Sequence, residues 1–278
     1  MISFLERLVF GSEGGLKFAD LKKMVRRDSF SNYLNYVAYD PETETYQNQD
    51  NTIGILWECT PLSFAGVRTM KTLEGLFRAG LPMESVLQFV FHADPHVEPI
   101  LDLFCKSRKR THPLVHANMV AVSSFVRHGV HGVQESAGIP VRNFRLFVAV
   151  KLPKKCREAK GSPLKEIKRQ IDETLAAAHL YPRNMGPEKL LEWCRRFMNS
   201  YPDEYPDRNF GQYDQFVPIR KQIINSDTVI RDEGDCLKVG DKYFCCTTPK
   251  VFPKEVDPLQ TNSLFGGIWG LISDADQI

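Results

Sequence analysis

The sequence predicts an α+β fold: a mixed or antiparallel sheet with helices packed on it, plus a smaller β-containing piece at the C-terminal end. Three observations carry this. Apolar runs of strand length recur near residues 36–39, 45–48, 52–59, 85–92 and 141–152. Apolar spacing of 3.6 residues marks helices between and after them. Beyond about residue 210 only short β-like pieces separated by turn residues follow. With 42% hydrophobic and 25% charged residues in 278, the chain has an ordinary globular composition, which excludes disordered, collagen-like and coiled-coil classes.

Taken in order, residues 1–27 read as an amphipathic helical arm, broken at Gly14-Gly15, with Leu5, Leu8 and Val9 before the break and Phe18, Leu21, Met24 and Val25 after it. A short hairpin follows, because Asp40-Pro41 signals a turn between the runs at 35–39 and 45–46. Residues 52–59 are β-branched and apolar and read as a buried strand. Ser63 then caps a helix over 65–79, which Gly80 ends. Residues 85–92 make a second apolar strand, and Asp94-Pro95 opens a helix carrying Val97, Ile100, Leu101 and Phe104.

After the basic loop 106–110, Pro113 starts a long helix toward Val130. Residues 141–152 alternate as a strand, with Phe144 and Phe147, like Phe125 of the preceding helix, assigned to the interior. Ser162-Pro163 opens a helix to about His179 with Leu164, Ile167, Ile171 and Leu175 on one side, and Gly186-Pro187 opens another through Leu190, Leu191, Trp193, Cys194 and Phe197. Residues 201–213 form a loop. The pieces at 228–231, 236–239 and 242–247 are β-like, with a tight turn at Gly240-Asp241 where glycine supplies positive φ. A last helix runs from Pro258 through Leu264, Phe265, Ile268 and Trp269. The expected organisation is an arm (1–28), an α+β body (29–210) and a C-terminal hairpin and helix piece (211–278).

Several chemistries are missing. No GxxxxGK[ST] loop exists, no GxSxG elbow and no Gly-rich dinucleotide fingerprint. Gly11 to Lys17 comes nearest to a phosphate loop, but it follows no strand and carries Phe18 where a hydroxyl is needed. The seven cysteines are odd in number, scattered and free of CxxC pairs, so reduced thiols are expected. Histidines cluster as His92/His96, His112/His116 and His128/His131, spacings that could share a metal on a helix face, yet no HExxH or correctly spaced carboxylate accompanies them.

Charge is concentrated although the net is only +2. Residues 105–169 hold 15 Lys or Arg against 3 acids, while 201–278 hold 8 basic and 13 acidic residues. The clusters Lys106/Arg108/Lys109/Arg110 and Lys154/Lys155/Arg157 are therefore expected to face an anion. An anionic membrane surface suits them, at about 1 kcal/mol per basic residue near the headgroups. DNA is less suited, since aromatic stacking residues do not interleave the charges. No run of about 18 apolar residues exists, and the expected location is cytoplasmic.

One resemblance adds to this. Ser29-Phe30-Ser31-Asn32-Tyr33-Leu34, the Tyr39-Asp40 hairpin start and the run from Asp50 to Pro61 (D-N-T-x-G-x-x-x-E-x-x-P) resemble the opening of the TraC family, the large ATPases of conjugative type IV secretion. Val141-Arg142-Asn143-Phe144-Arg145-Leu146-Phe147 resembles that family's L-R-x-Y-R-x-F strand, and Trp269 falls in a similar C-terminal helix. The resemblance covers most of the chain from Ser29 onward.

It implies an N-terminal docking and assembly domain that attaches the motor to the inner-membrane channel and supports oligomerisation. ATP and magnesium would belong to a C-terminal domain beyond Ile278, so this chain would be no enzyme and would hold no cofactor, metal or catalytic residue. Implied partners are secretion-channel inner-membrane proteins, further copies of the chain and the anionic membrane surface, with the domain peripheral to the inner membrane. Phe265, Ile268 and Trp269, so apolar and so near the end, are expected to contact a partner or a second copy. The competing readings are a metal-dependent hydrolase using the histidines and a DNA-handling module.

Overall fold

The computed structural model describes residues 30–62, 66–78, 80–133, 138, 140–158, 163–199, 210–225, 228–248 and 250–251. The expected arm over 1–28, the C-terminal helix and the contact residues Phe265, Ile268 and Trp269 lie outside these. A 3-10 turn, Phe30–Tyr33, leads into the hairpin β1 (Tyr36–Asp40) and β2 (Thr45–Asn48), then β3 (Ile53–Cys59), α1 (Val67–Arg78) and β4 (Val86–Asp94). An αα-hairpin of α2 (Glu98–Lys106) and α3 (Pro113–Gly129) precedes β5 (Asn143–Leu152). Next come α4 (Lys155–Glu158), α5 (Pro163–Ala177), the two-residue β6 (Arg183–Asn184), α6 (Pro187–Met198) and α7 (Ile219–Ile223). The last described elements are β7 (Ile230–Asp232), β8 (Leu237–Val239) and β9 (Lys242–Phe244).

The fold is α+β, as expected, and every strand pairing described is antiparallel. The main sheet runs β1-β2-β3-β5-β4, and β6 joins it on β3. β3 sits centrally because its side chains are apolar on both faces. β5 pairs with it from Ile53↔Leu152 to Cys59↔Leu146, while its other side is shared by β2 and β6.

Strand alternation then builds two cores. On one face Ile53, Ile55, Trp57, Val148, Val150 and Leu152 meet the stripe Leu164, Ile167, Ile171 and Leu175 of α5, with Leu76 of α1 beside it. On the other, Tyr46, Leu56 and Phe147 meet Leu190 and Leu191 of α6, Ile219 and Ile223 of α7, and Met185. Each fully buried side chain of this kind contributes roughly 1.5–3 kcal/mol by leaving water. Tyr46 also satisfies its hydroxyl, which donates to the Met185 carbonyl at 2.7 Å.

Three expectations need correction. Cys236 and Cys245 form a disulfide. The β8–β9 hairpin sets Leu237 opposite Phe244, which brings the residues just outside that pair together. Phe125 and Phe144, placed inside by periodicity, are 58% and 42% exposed, while Phe147 is buried. Finally, Asp94 and Pro95 do not open α2. Asp94 ends β4 and its carboxylate accepts from the His96 N–H at 2.9 Å, so the helix begins at Glu98.

Candidate partner-binding surfaces

The two basic clusters leave the β4–β5 ribbon at opposite ends. β5 starts opposite Asp94 and finishes with Lys151 opposite Val86. Lys154 and Lys155 therefore follow the ribbon end where β4 begins, whereas residues 106–110 belong to the helical hairpin that leaves the end where β4 stops. A ten-residue strand spans roughly 30 Å at about 3.4 Å per residue, which is several screening lengths at physiological salt. Lys154 and Lys155 are exposed at the start of α4; the Arg157 side chain lies outside what is described.

The hairpin tip is better defined. Lys106 pairs with Asp102 at 3.6 Å across one helical turn. The Arg108 guanidinium lies 3.5 Å from the centroid of the Phe104 ring and also donates to the Phe104 carbonyl, and Lys109 and Arg110 are exposed. The tip thus presents cations held by α2 itself.

Below the tip, the hairpin carries an uncovered apolar surface. Over the 17 residues of α3 only Ser123 and Gly129 are buried, and Leu103, Leu114, Val120 and Phe125 are all more than half exposed. Polar links fasten the hairpin at both ends, the first at the tip and the others at the base. The His112 ring nitrogen Nδ1 accepts from the Leu114 N–H and caps α3, and Arg127 donates two hydrogen bonds to Glu98 at 2.8 and 2.9 Å. Arg142 donates to the Val130 carbonyl. Gly129 lets the return strand approach, since a Cβ there would come within 2.6 Å of the Val141 methyl. Sequence reading missed the exposure of this hairpin. Its signal was partial: Val115, Met119, Val122 and Val126 keep to one stripe, which is half-buried, while Leu114 and Phe125 at its margin and Val120 on another side widen the apolar surface beyond what α2 covers.

Three of the histidines take structural parts. His112 is the cap just described, and His128 Nδ1 bonds the Ser124 carbonyl oxygen at 2.7 Å. His92 accepts from the Trp193 indole N–H at 3.0 Å. Burial pushes the imidazoles of His92 and His96 below their ordinary range. Among the described residues no three His, Cys, Asp or Glu side chains gather as a metal-holding group. Burial also pushes the Cys59 and Cys194 thiols up to about 12, so neither supplies a thiolate near neutral pH.

His92 and His96 open onto a cleft of about 570 Å³ between the end of β4, α6 and the β8–β9 hairpin, walled by Trp193, Phe197 and Phe244. Behind it, Arg145 of β5 bonds Glu58 of β3 at 2.8 Å and Asp94 of β4 at 3.3 Å, tying three strands together with partly buried charges. The Lys242 ammonium at the rim donates to the Arg196 and Asn199 carbonyls and so docks the small sheet on α6.

With the sheet order and the surfaces in place, the comparison with known families is decisive. The family described as TraC protein matches residues 30–278. The chain belongs to the TraC family. The match spans both the main sheet and the small one, and it identifies a protein related to conjugative transfer. No curated protein matches the chain. No helix of this TraC-family protein, among the described residues, is long and apolar enough to cross a membrane.

Proposed function

We propose that this TraC-family chain is a docking and assembly module of a conjugative secretion machine, binding inner-membrane channel proteins and further copies of itself, and performing no ATP hydrolysis. The α2–α3 hairpin is the observation that supports this reading. Its side chains Leu103, Leu114, Val120 and Phe125 stay uncovered beneath a cationic tip, and a rimmed apolar surface of this kind marks an interaction site. The basic tip suits an anionic partner, with the cytoplasmic membrane surface as the natural neighbour of a channel-attached protein. Leu114→Asp combined with Phe125→Asp leaves the fold intact in this reading, because neither side chain is part of a core, and abolishes assembly of the transfer machine and DNA transfer in cells. Wild-type transfer by that variant, with its product present at normal level, overturns the proposal.

A further inference from the structure

The main sheet ends in two edges of opposite character. β1 is five residues long, its register slips between Tyr36 and Ala38, and Pro41 follows it directly. Short length, bulges and proline are the devices that stop an edge from accepting another strand. β4 has none of them. It runs nine residues in unbroken register on β5, from Val86↔Lys151 to Asp94↔Asn143, and contains no Lys, Arg or Pro. Val86 and Phe89 are 52% and 44% exposed. Among the described residues no strand pairs with its outer side, where alternate residues turn their N–H and C=O groups.

We propose that β4 is the surface through which two copies of this chain associate, pairing antiparallel about a two-fold axis at Val90 so that two sheets become one. This rests on the self-association proposed above and assigns it a place. The strand's own sequence selects a second copy as the occupant. Turned against itself about Val90, β4 sets Phe89 opposite Phe91, Gln88 opposite His92, Leu87 opposite Ala93 and Val86 opposite Asp94. The axis generates each pair twice, so the aromatic pair, the most favourable kind across strands, is formed on both sides of Val90. Both phenylalanines lie on the sheet face that carries α5, since they pair with Val148 and Leu146. Gln88 and His92 lie on the opposite face, where an amide can bond an imidazole. No like charges are opposed, as the one carboxylate, Asp94, is held by Arg145 within its own copy. A two-fold pairing is also closed: it consumes both β4 edges and leaves only the protected β1 edges outside.

Two variants test this in the full chain. Val90→Lys places two ammonium groups opposite each other at the axis and should weaken the dimer about tenfold or more by analytical ultracentrifugation, with unchanged circular dichroism. Val90→Cys, in a Cys246→Ser background, should form an interchain disulfide on mild oxidation, whereas Gln88→Cys in the same background should not, because position 88 faces 92 and not itself. Should the lysine variant fail to fold, the cysteine pair decides alone. Wild-type protein that self-associates while Val90→Lys keeps its affinity and Val90→Cys crosslinks no better than Gln88→Cys overturns the β4 assignment and leaves self-association standing. Wild-type protein that stays monomeric overturns both, including the case in which β4 takes a strand from a different protein.

Discussion

Helices α3 and α5 are of similar length and both were legible in the sequence, α3 from Pro113 and α5 from its cap and apolar spacing, yet they meet opposite fates. α5 puts Leu164, Ile167, Ile171 and Leu175 at intervals that keep to one side, and all four are buried on the sheet. α3 fully buries only Ser123 and Gly129; its stripe Val115, Met119, Val122 and Val126 stays half-buried, and Leu114, Val120 and Phe125 are exposed. A stripe laid on a sheet is covered; one laid along a single nine-residue helix is covered in part. α5 is therefore held by area removed from water, and α3 by its cap, the Arg127–Glu98 bonds and the close approach at Gly129.

That contrast can be broken most visibly in the core. Ile171→Ala should cost about 2–5 kcal/mol, the transfer loss plus the cavity left under β3 and β5, read as a fall in the urea midpoint. Val120→Ala on α3 should cost less than about 0.5 kcal/mol, because its side chain is already in water. Equal losses would show that the hairpin is packed after all. A smaller effect sharpens the picture: His112→Ala removes the α3 cap and should cost about 1 kcal/mol of local stability, seen as faster amide exchange in residues 114–117 with the sheet amides unchanged.

The smallest effect is electrostatic. The hydrogen bonds from Arg127 hold the Glu98 carboxyl below its ordinary range. A depressed carboxylate stabilises the fold above its unfolded pKa and loses that contribution as pH falls through the folded value. Acidification below about 4.5 should thus loosen the hairpin base. Because both side chains are about half exposed, the loss should stay within about 0.5 kcal/mol and shrink with added salt. Exchange rates in α3 between pH 6 and 3, compared with those of Arg127→Gln, measure it; an unchanged difference between the two proteins would remove the ion pair from the account of the hairpin.

The strands at 36–39, 45–48, 52–59, 85–92 and 141–152 were readable because β-branched and apolar runs between turn residues leave few alternatives. Burial was less readable. Alternation shows that Phe144 and Phe147 lie on opposite faces, but only the packing of α5 and α6 decides that Phe147 is covered while Phe144 stacks on Phe91 near the uncovered end. The Cys236–Cys245 bond escaped because it follows from hairpin register, with no spacing motif to announce it. Counting charge along residues 105–169 joined two basic clusters that β5 carries apart, since linear proximity says nothing about which end of a strand a residue leaves.

The order β1-β2-β3-β5-β4 also has a consequence for synthesis on the ribosome. Trp57 of β3 pairs with Val148 of β5, which emerges roughly 90 residues later, or about 5–20 s later at ordinary translation rates. Until then the most apolar strand of the molecule has only the β1–β2 hairpin on one side and nothing on the other. Long-range pairing of this kind slows folding, so β3 stays uncovered on that side until β5 has been made. Stalling translation just before residue 143 should leave β3 sensitive to protease, and extending the nascent chain past Leu152 should protect it.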